Sequence, residues 1–166
     1  MSNKIIIFSL TVLKAEIYWA LHTVMSSHSA RSTDKVSDLF PKMFPDSPIA
    51  KEFSIAKDKM GYVITFGLYP FFSCQLMDQV KLCDWFVVSF DETYNNILSK
   101  EQMDVVVKFF CEDTQMARTR YLSSQFMGRA TAYDIQKHLE SALEKLDLKK
   151  LLQVSMDGPN TNLRVC

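Results

Sequence analysis

The chain has 166 residues, enough to bury a core, and its 48% hydrophobic and 12% aromatic content excludes a disordered or low-complexity chain. Lys plus Arg equals Asp plus Glu at 19 each, so the net charge is zero and no whole-chain field draws it to nucleic acid. Cys74, Cys83, Cys111 and Cys166 form no Cys-x-x-Cys pair and have no histidine at zinc-ligand spacing, which argues against a zinc finger and for reduced intracellular thiols.

The N-terminal run Ile5 to Leu13 follows Lys4 and is closed by Lys14 and Glu16. It is shorter than the roughly 20 apolar residues that span a bilayer. It reads as the lead-in to a buried helix, with a secretory signal as the alternative; nothing else in the chain has the length to cross a membrane. Leu13, Ile17, Ala20, Leu21 and Val24 recur at helical spacing and predict an amphipathic helix over 10–26. A polar loop follows over 26–32, and Thr33 is the expected cap of a short helix through Val36, Leu39 and Phe40. Pro41, Pro45 and Pro48 punctuate the next stretch, and Ser47 with Pro48 opens another short helix. Lys57-Asp58-Lys59 reads as a charged connector. The apolar segment from Gly61 to Phe72 predicts a helix broken at Gly67 and Pro70, and Leu76 to Leu82 is helical again.

After residue 83 the texture changes. Trp85 to Phe90 predicts a strand, Asn95-Asn96 a turn, and Met103 to Phe110 a second strand rich in β-branched and aromatic residues. Glu112 to Gln115 is a polar turn, and Met116 to Phe126 the next strand. Thr131 caps a helix whose Ile135, Leu139, Ala142, Leu143 and Leu146 make one apolar stripe. Leu151 to Met156 is the last strand. The expected organisation is a mainly helical region over 1–82 and an α/β core over 83–166. Among side chains outside the stripes, Trp19, Phe71, Phe72 and Trp85 read as core. His22, His28 and His138 read as scattered surface or satisfied side chains. The run Lys145 to Lys150 reads as a solvated helix end.

Two aspartates carry the functional argument. Asp91 ends the run Trp85 to Phe90, and Asp157 ends the run Leu151 to Met156. Three meandering strands followed by a right-handed crossover helix place the fourth strand parallel to the first and next to it. Asp91 and Asp157 then share one carboxyl edge of a sheet, a candidate site for a divalent cation. Glu92 follows Asp91 directly, so its side chain belongs to the other face and cannot easily serve as a third ligand from the same strand. Lys108, Arg118, Arg120 and Arg129 could touch phosphate, but a solvated strand face accounts for them. No Gly-rich phosphate loop, Ser elbow or Cys/His pair supports a small-molecule enzyme of another kind.

The strand order with an acid on the first strand and another past the fourth resembles the ribonuclease H fold. The segments Val87 to Asn95, Arg120 to Gly128 and Leu152 to Asn160 are similar to animal proteins derived from hAT transposases. So are Lys14 to Leu21, Met43 to Ser47 and Phe66 to Pro70. The resemblance implies a βββαβ ribonuclease H-like core and, in the family, three carboxylates holding two divalent ions, of which Asp91 and Asp157 are the counterparts here; no cofactor is expected in this chain, and Mg²⁺ or Mn²⁺ only if the ancestral site is retained. The third acid of that family lies on a helix past an inserted domain, which implies that it would fall beyond Cys166. The expected protein is therefore transposase-derived and catalytically incomplete, without nuclease activity of its own. The alternatives are a domesticated protein-interaction module and part of an active Mg-dependent transposase. The resemblance implies a nuclear protein with a DNA or protein partner; the thiols read as intracellular, no segment predicts a membrane span, and the exposed edge of the fourth strand offers a route to self-association.

Overall fold

The computed structural model describes residues 2–128 and 131–156, which divide into two compact units, 1–72 and 73–166. The fold is α/β, a helical N-terminal region followed by a four-stranded mixed sheet. Leu76, Met77 and Val80 pack with the sheet's core, so the second unit begins earlier than the boundary at residue 83 that composition suggests.

The first unit opens with α1, Ser2–Met25. No Gly or Pro interrupts it, so the apolar run at its start is not a lead-in but part of the same helix. Ile6, Ile7 and Leu10 on that part are exposed. The packed half centres on Ala20, which joins Val36, Phe53, Ile55 and Met60 in one cluster with Trp19 and Phe40 against it. Trp19, read as core, is partly buried against this cluster, with its ring edge-on to Phe40 at 5.2 Å.

Thr33 is not a helix cap. It closes a 3₁₀ turn over Ala30–Thr33 and its hydroxyl donates to Ala30 O at 2.6 Å. Helix α2, Val36–Met43, starts beyond it from Lys35, with no side-chain cap. Helix α3, Pro48–Glu52, does have its expected cap: Ser47 Oγ accepts from Ala50 N at 3.2 Å.

Helix α4, Lys57–Tyr62, contains the charged triplet that reads as a connector. Its first donor, Lys57 N, is satisfied by Asp34 Oδ1 at 3.1 Å. A carboxylate from a distant segment supplies the anion that favours a helix start, and local sequence carries no sign of it. Helical backbone then continues through a π-helical stretch, Val63–Leu68, into α5, Tyr69–Leu82. There is no break at Gly67 or Pro70. Tyr69 N bonds to Ile64 O, five residues back, so the widened turn sits directly before the proline that lacks a donor. Phe71 and Phe72 on α5 are exposed rather than core.

In the second unit β1, Phe86–Asn95, and β2, Lys100–Cys111, form an antiparallel pair. Asn95 Oδ1 accepts from Ile97 N and Leu98 N at 3.1 and 3.0 Å, which is how that asparagine makes the turn. Strand β3, Met116–Met127, follows antiparallel to β2. Helix α6, Ala132–Leu143, begins at Thr131, whose Oγ1 accepts from Asp134 N at 3.2 Å. Its stripe buries Ile135, Leu139 and Leu143 over β2 and β3. Each such side chain contributes about 1.5–3 kcal/mol of burial.

Strand β4, Leu151–Met156, completes the sheet in the order β3-β2-β1-β4, parallel to β1. Lys150 precedes it and is not a solvated helix end. Its Nζ donates to Lys81 O at 2.8 Å and Cys83 O at 2.9 Å, tying the entry of β4 to the end of α5. Trp85 stands just before β1 and is exposed, contrary to its reading as core. Among the described residues no helix is long and apolar enough to cross a membrane.

Candidate functional site

Alternation along the strands gives the sheet two faces. Phe86, Val88 and Phe90 of β1 and Met103, Val105, Val107 and Phe109 of β2 are buried on one face. Val154 and Met156 of β4 pack on the same cluster. The opposite, open face carries Val87, Ser89 and Asp91 from β1, which pair with Lys108, Val106 and Asp104 of β2.

Crossover α6 makes β1 and β4 neighbours, as the element order predicts. Their parallel register runs Val87 with Gln153, Val88 with Val154, Ser89 with Ser155 and Phe90 with Met156. The register ends immediately before the two aspartates in sequence. Asp91 is exposed at the next position of β1. Asp157 lies outside the described residues, as does Arg129.

The residue brought to Asp91 is one that sequence reasoning passed over. Asp104 of β2 is its direct cross-strand partner. Residues so paired lie on one face with Cβ atoms about 4.5–5.5 Å apart. Asp104 is half-buried and held by donors: Gln102 Nε2 at 2.8 and 3.0 Å from its two oxygens, and the Ser124 hydroxyl. Gln102 in turn accepts from Asn95 Nδ2 at 2.7 Å, and Ser124 Oγ lies 2.7 Å from Tyr121 OH. A polar chain thus crosses three strands beside Asp91. Polar Gln102 and Asp104 alternating with Met103, Val105 and Val107 are the sequence signal that marks this face.

Glu92 pairs with buried Met103, so it belongs to the core face, away from Asp91. Of the basic residues, Lys108 lies on the open face. Arg118 and Arg120 pair with Phe109 and Val107, which places them on the other. They form no single phosphate-binding surface. Arg118 Nε donates to Thr114 Oγ1 at 3.0 Å and Arg120 Nη1 to Thr119 O at 3.0 Å.

The donors around Asp91 are oxygens, the kind Mg²⁺ takes. Among the described residues, however, no group of three or more His, Cys, Asp or Glu is arranged to hold a metal ion. Asp104 already accepts from Gln102 Nε2 on both oxygens and from the Ser124 hydroxyl. A cavity of about 590 Å³ opens nearer the start of β1, lined by Trp85, Val87, Lys108, Phe110 and Ser155 among others, and Asp91 does not line it. No protein-family model matches the chain, and no curated protein matches it either.

Proposed function

We propose that the second unit is a ribonuclease H-like domain of transposase origin, and that it cuts no nucleic acid by itself. One observation carries the reading: β4 lies parallel beside β1 after a three-strand meander, and Asp91 directly follows Phe90, the last residue of β1 that pairs with β4. In such a domain Asp91 and Asp157 are the two acids of the sheet edge. A bound Mg²⁺ or Mn²⁺ would supply electrostatic stabilisation of the oxygens of a phosphodiester. Two carboxylates seldom hold two hydrated Mg²⁺ ions, so this residue set binds weakly and does not complete a catalytic centre. On the same reading the protein is intracellular and nuclear, with DNA or another protein as its partner.

The test is calorimetric titration of the chain with Mg²⁺ and Mn²⁺, together with a DNA nicking assay. Weak binding lost in both Asp91→Asn and Asp157→Asn, with no cleavage, is the expected result. Identical titrations for all three proteins would end the metal-site reading. Cleavage abolished by Asp91→Ala would show a working enzyme.

A second reading, an interaction module that keeps the fold without chemistry, is favoured by exposed Trp85, Phe110 and Tyr121 around the open face. It also draws on β4, a strand without charge or proline that pairs only with β1 among the described residues. A monodisperse monomer that captures no partner would count against it.

A further inference from the structure

The polar end of α1 brings two imidazoles together. His22 stands in the last turn of the helix. The chain then reverses through Ser27, whose φ of 54° lies in the left-handed region. His28 N donates to Thr23 O at 2.9 Å and Ser27 N to Val24 O at 3.1 Å, the paired bonds of a Schellman turn. That turn folds His28 back onto His22, and their ring centres are 5.6 Å apart with planes at 85°. Both residues are exposed.

We propose that His22 and His28 form a two-imidazole site for a divalent transition-metal ion such as Zn²⁺ or Ni²⁺. A tetrahedral ion with nitrogens at about 2.0–2.1 Å holds two ring centres about 5 Å apart, close to the observed spacing, and the edge-on rings must rotate for both lone pairs to converge on it. The second observation is Ser26 Oγ, 3.5 Å from His22 Nδ1. The direction of that contact follows the tautomer: where Nδ1–H donates to the hydroxyl oxygen, His22 Nε2 presents its lone pair to a metal. Water fills the remaining positions. The ion would clasp the end of α1 to the segment after it. Imidazole nitrogens suit zinc, copper and nickel, whereas Mg²⁺ takes oxygens. This site is independent of the carboxylates of the sheet.

Trp19 supplies the readout, because its ring centre is 5.6 Å from that of His22. The chain has two tryptophans, so Trp85→Phe in the full chain isolates the Trp19 signal. Ni²⁺, which quenches indole emission at short range, is the probe. Saturable quenching is expected, reversed by excess Zn²⁺ and untouched by Mg²⁺. His22→Asn and His28→Asn should each weaken half-saturation by about tenfold or more, with circular dichroism confirming an intact fold. His138→Asn should leave it unchanged. Quenching with the same midpoint in either His22→Asn or His28→Asn overturns the proposal. So does quenching abolished by Cys74→Ser or shifted by His138→Asn. If His22→Asn loses helix, His22→Gln replaces it under the same criteria.

Discussion

Asp91 and Asp104 face each other directly across the β1–β2 ladder, two carboxylates on one side of the sheet. Like charges so placed repel, by about 0.2–1 kcal/mol. Asp104 has Gln102 and Ser124 to hold its charge, whereas Asp91 is the exposed member. Asp91→Asn should therefore stabilise the protein by about that amount in a chelator-containing buffer. Asp104→Ala should destabilise it by about 1–3 kcal/mol, because the half-buried donors lose their acceptor. Denaturant midpoints check both signs. A cation at this edge would reverse the first: added Mg²⁺ should then raise the wild type above Asp91→Asn.

Glu16 is buried on α1 and accepts from Lys59 Nζ at 2.6 Å and Ser54 N at 2.9 Å. The Lys59 side chain is 45% exposed and that of Glu16 only 3%. Removing the lysine strands a buried carboxylate, whereas removing the carboxylate leaves an ammonium that reaches water. Lys59→Met should cost about 3 kcal/mol and Glu16→Gln clearly less. Equal losses in urea unfolding would contradict the asymmetry.

Burial pushes the Cys83 thiol above its ordinary 9.0, and nearby Lys150 pulls it down. The folded form thus favours the neutral thiol. Its contribution to stability is fully present below pH 9.0 and is lost as pH rises from there through the raised folded value. Wild type should lose more stability than Cys83→Ala between pH 8 and 10. Lys150→Met should cost about 1–3 kcal/mol at neutral pH, since Lys81 O and Cys83 O lose their donor. It should also raise the Cys83 thiol further. The Thr114 hydroxyl lowers the Cys111 thiol, so alkylation of Cys111 should set in at lower pH than that of Cys83.

Ser27, Ser99 and Gln115 all have φ near 50° in tight reversals. A left-handed conformation costs a residue with Cβ roughly 1–2 kcal/mol, part of which glycine returns through unfolded-state entropy. Ser27→Gly and Ser99→Gly should each raise stability by about 0.5–1 kcal/mol. A fall in melting temperature for Ser27→Gly would mean that its hydroxyl does more than the turn requires.

Local signals suffice where one residue satisfies its own neighbourhood. Asn95 makes its own turn, Thr131 caps α6, and Ile135, Leu139 and Leu143 bury as a stripe. The adjacency of β1 and β4 follows from the order of the elements together with a right-handed crossover. What sequence hides depends on partners far along the chain. Asp34 starts α4, Lys150 seals the end of α5, and Asp104 becomes the neighbour of Asp91 only once the hairpin register is set. The π-helical turn before Pro70 and the meeting of His22 with His28 are three-dimensional outcomes that apolar periodicity does not encode.

The place of β4 beside β1 also sets an order of assembly. Strands β1, β2 and β3 zip through short reversals, so their pairing closes small loops. The match of Phe90 with Met156 must close the whole meander and α6 before a single bond forms. The last strand is therefore the late arrival, and its amides should exchange with solvent before those at the centre of the hairpin.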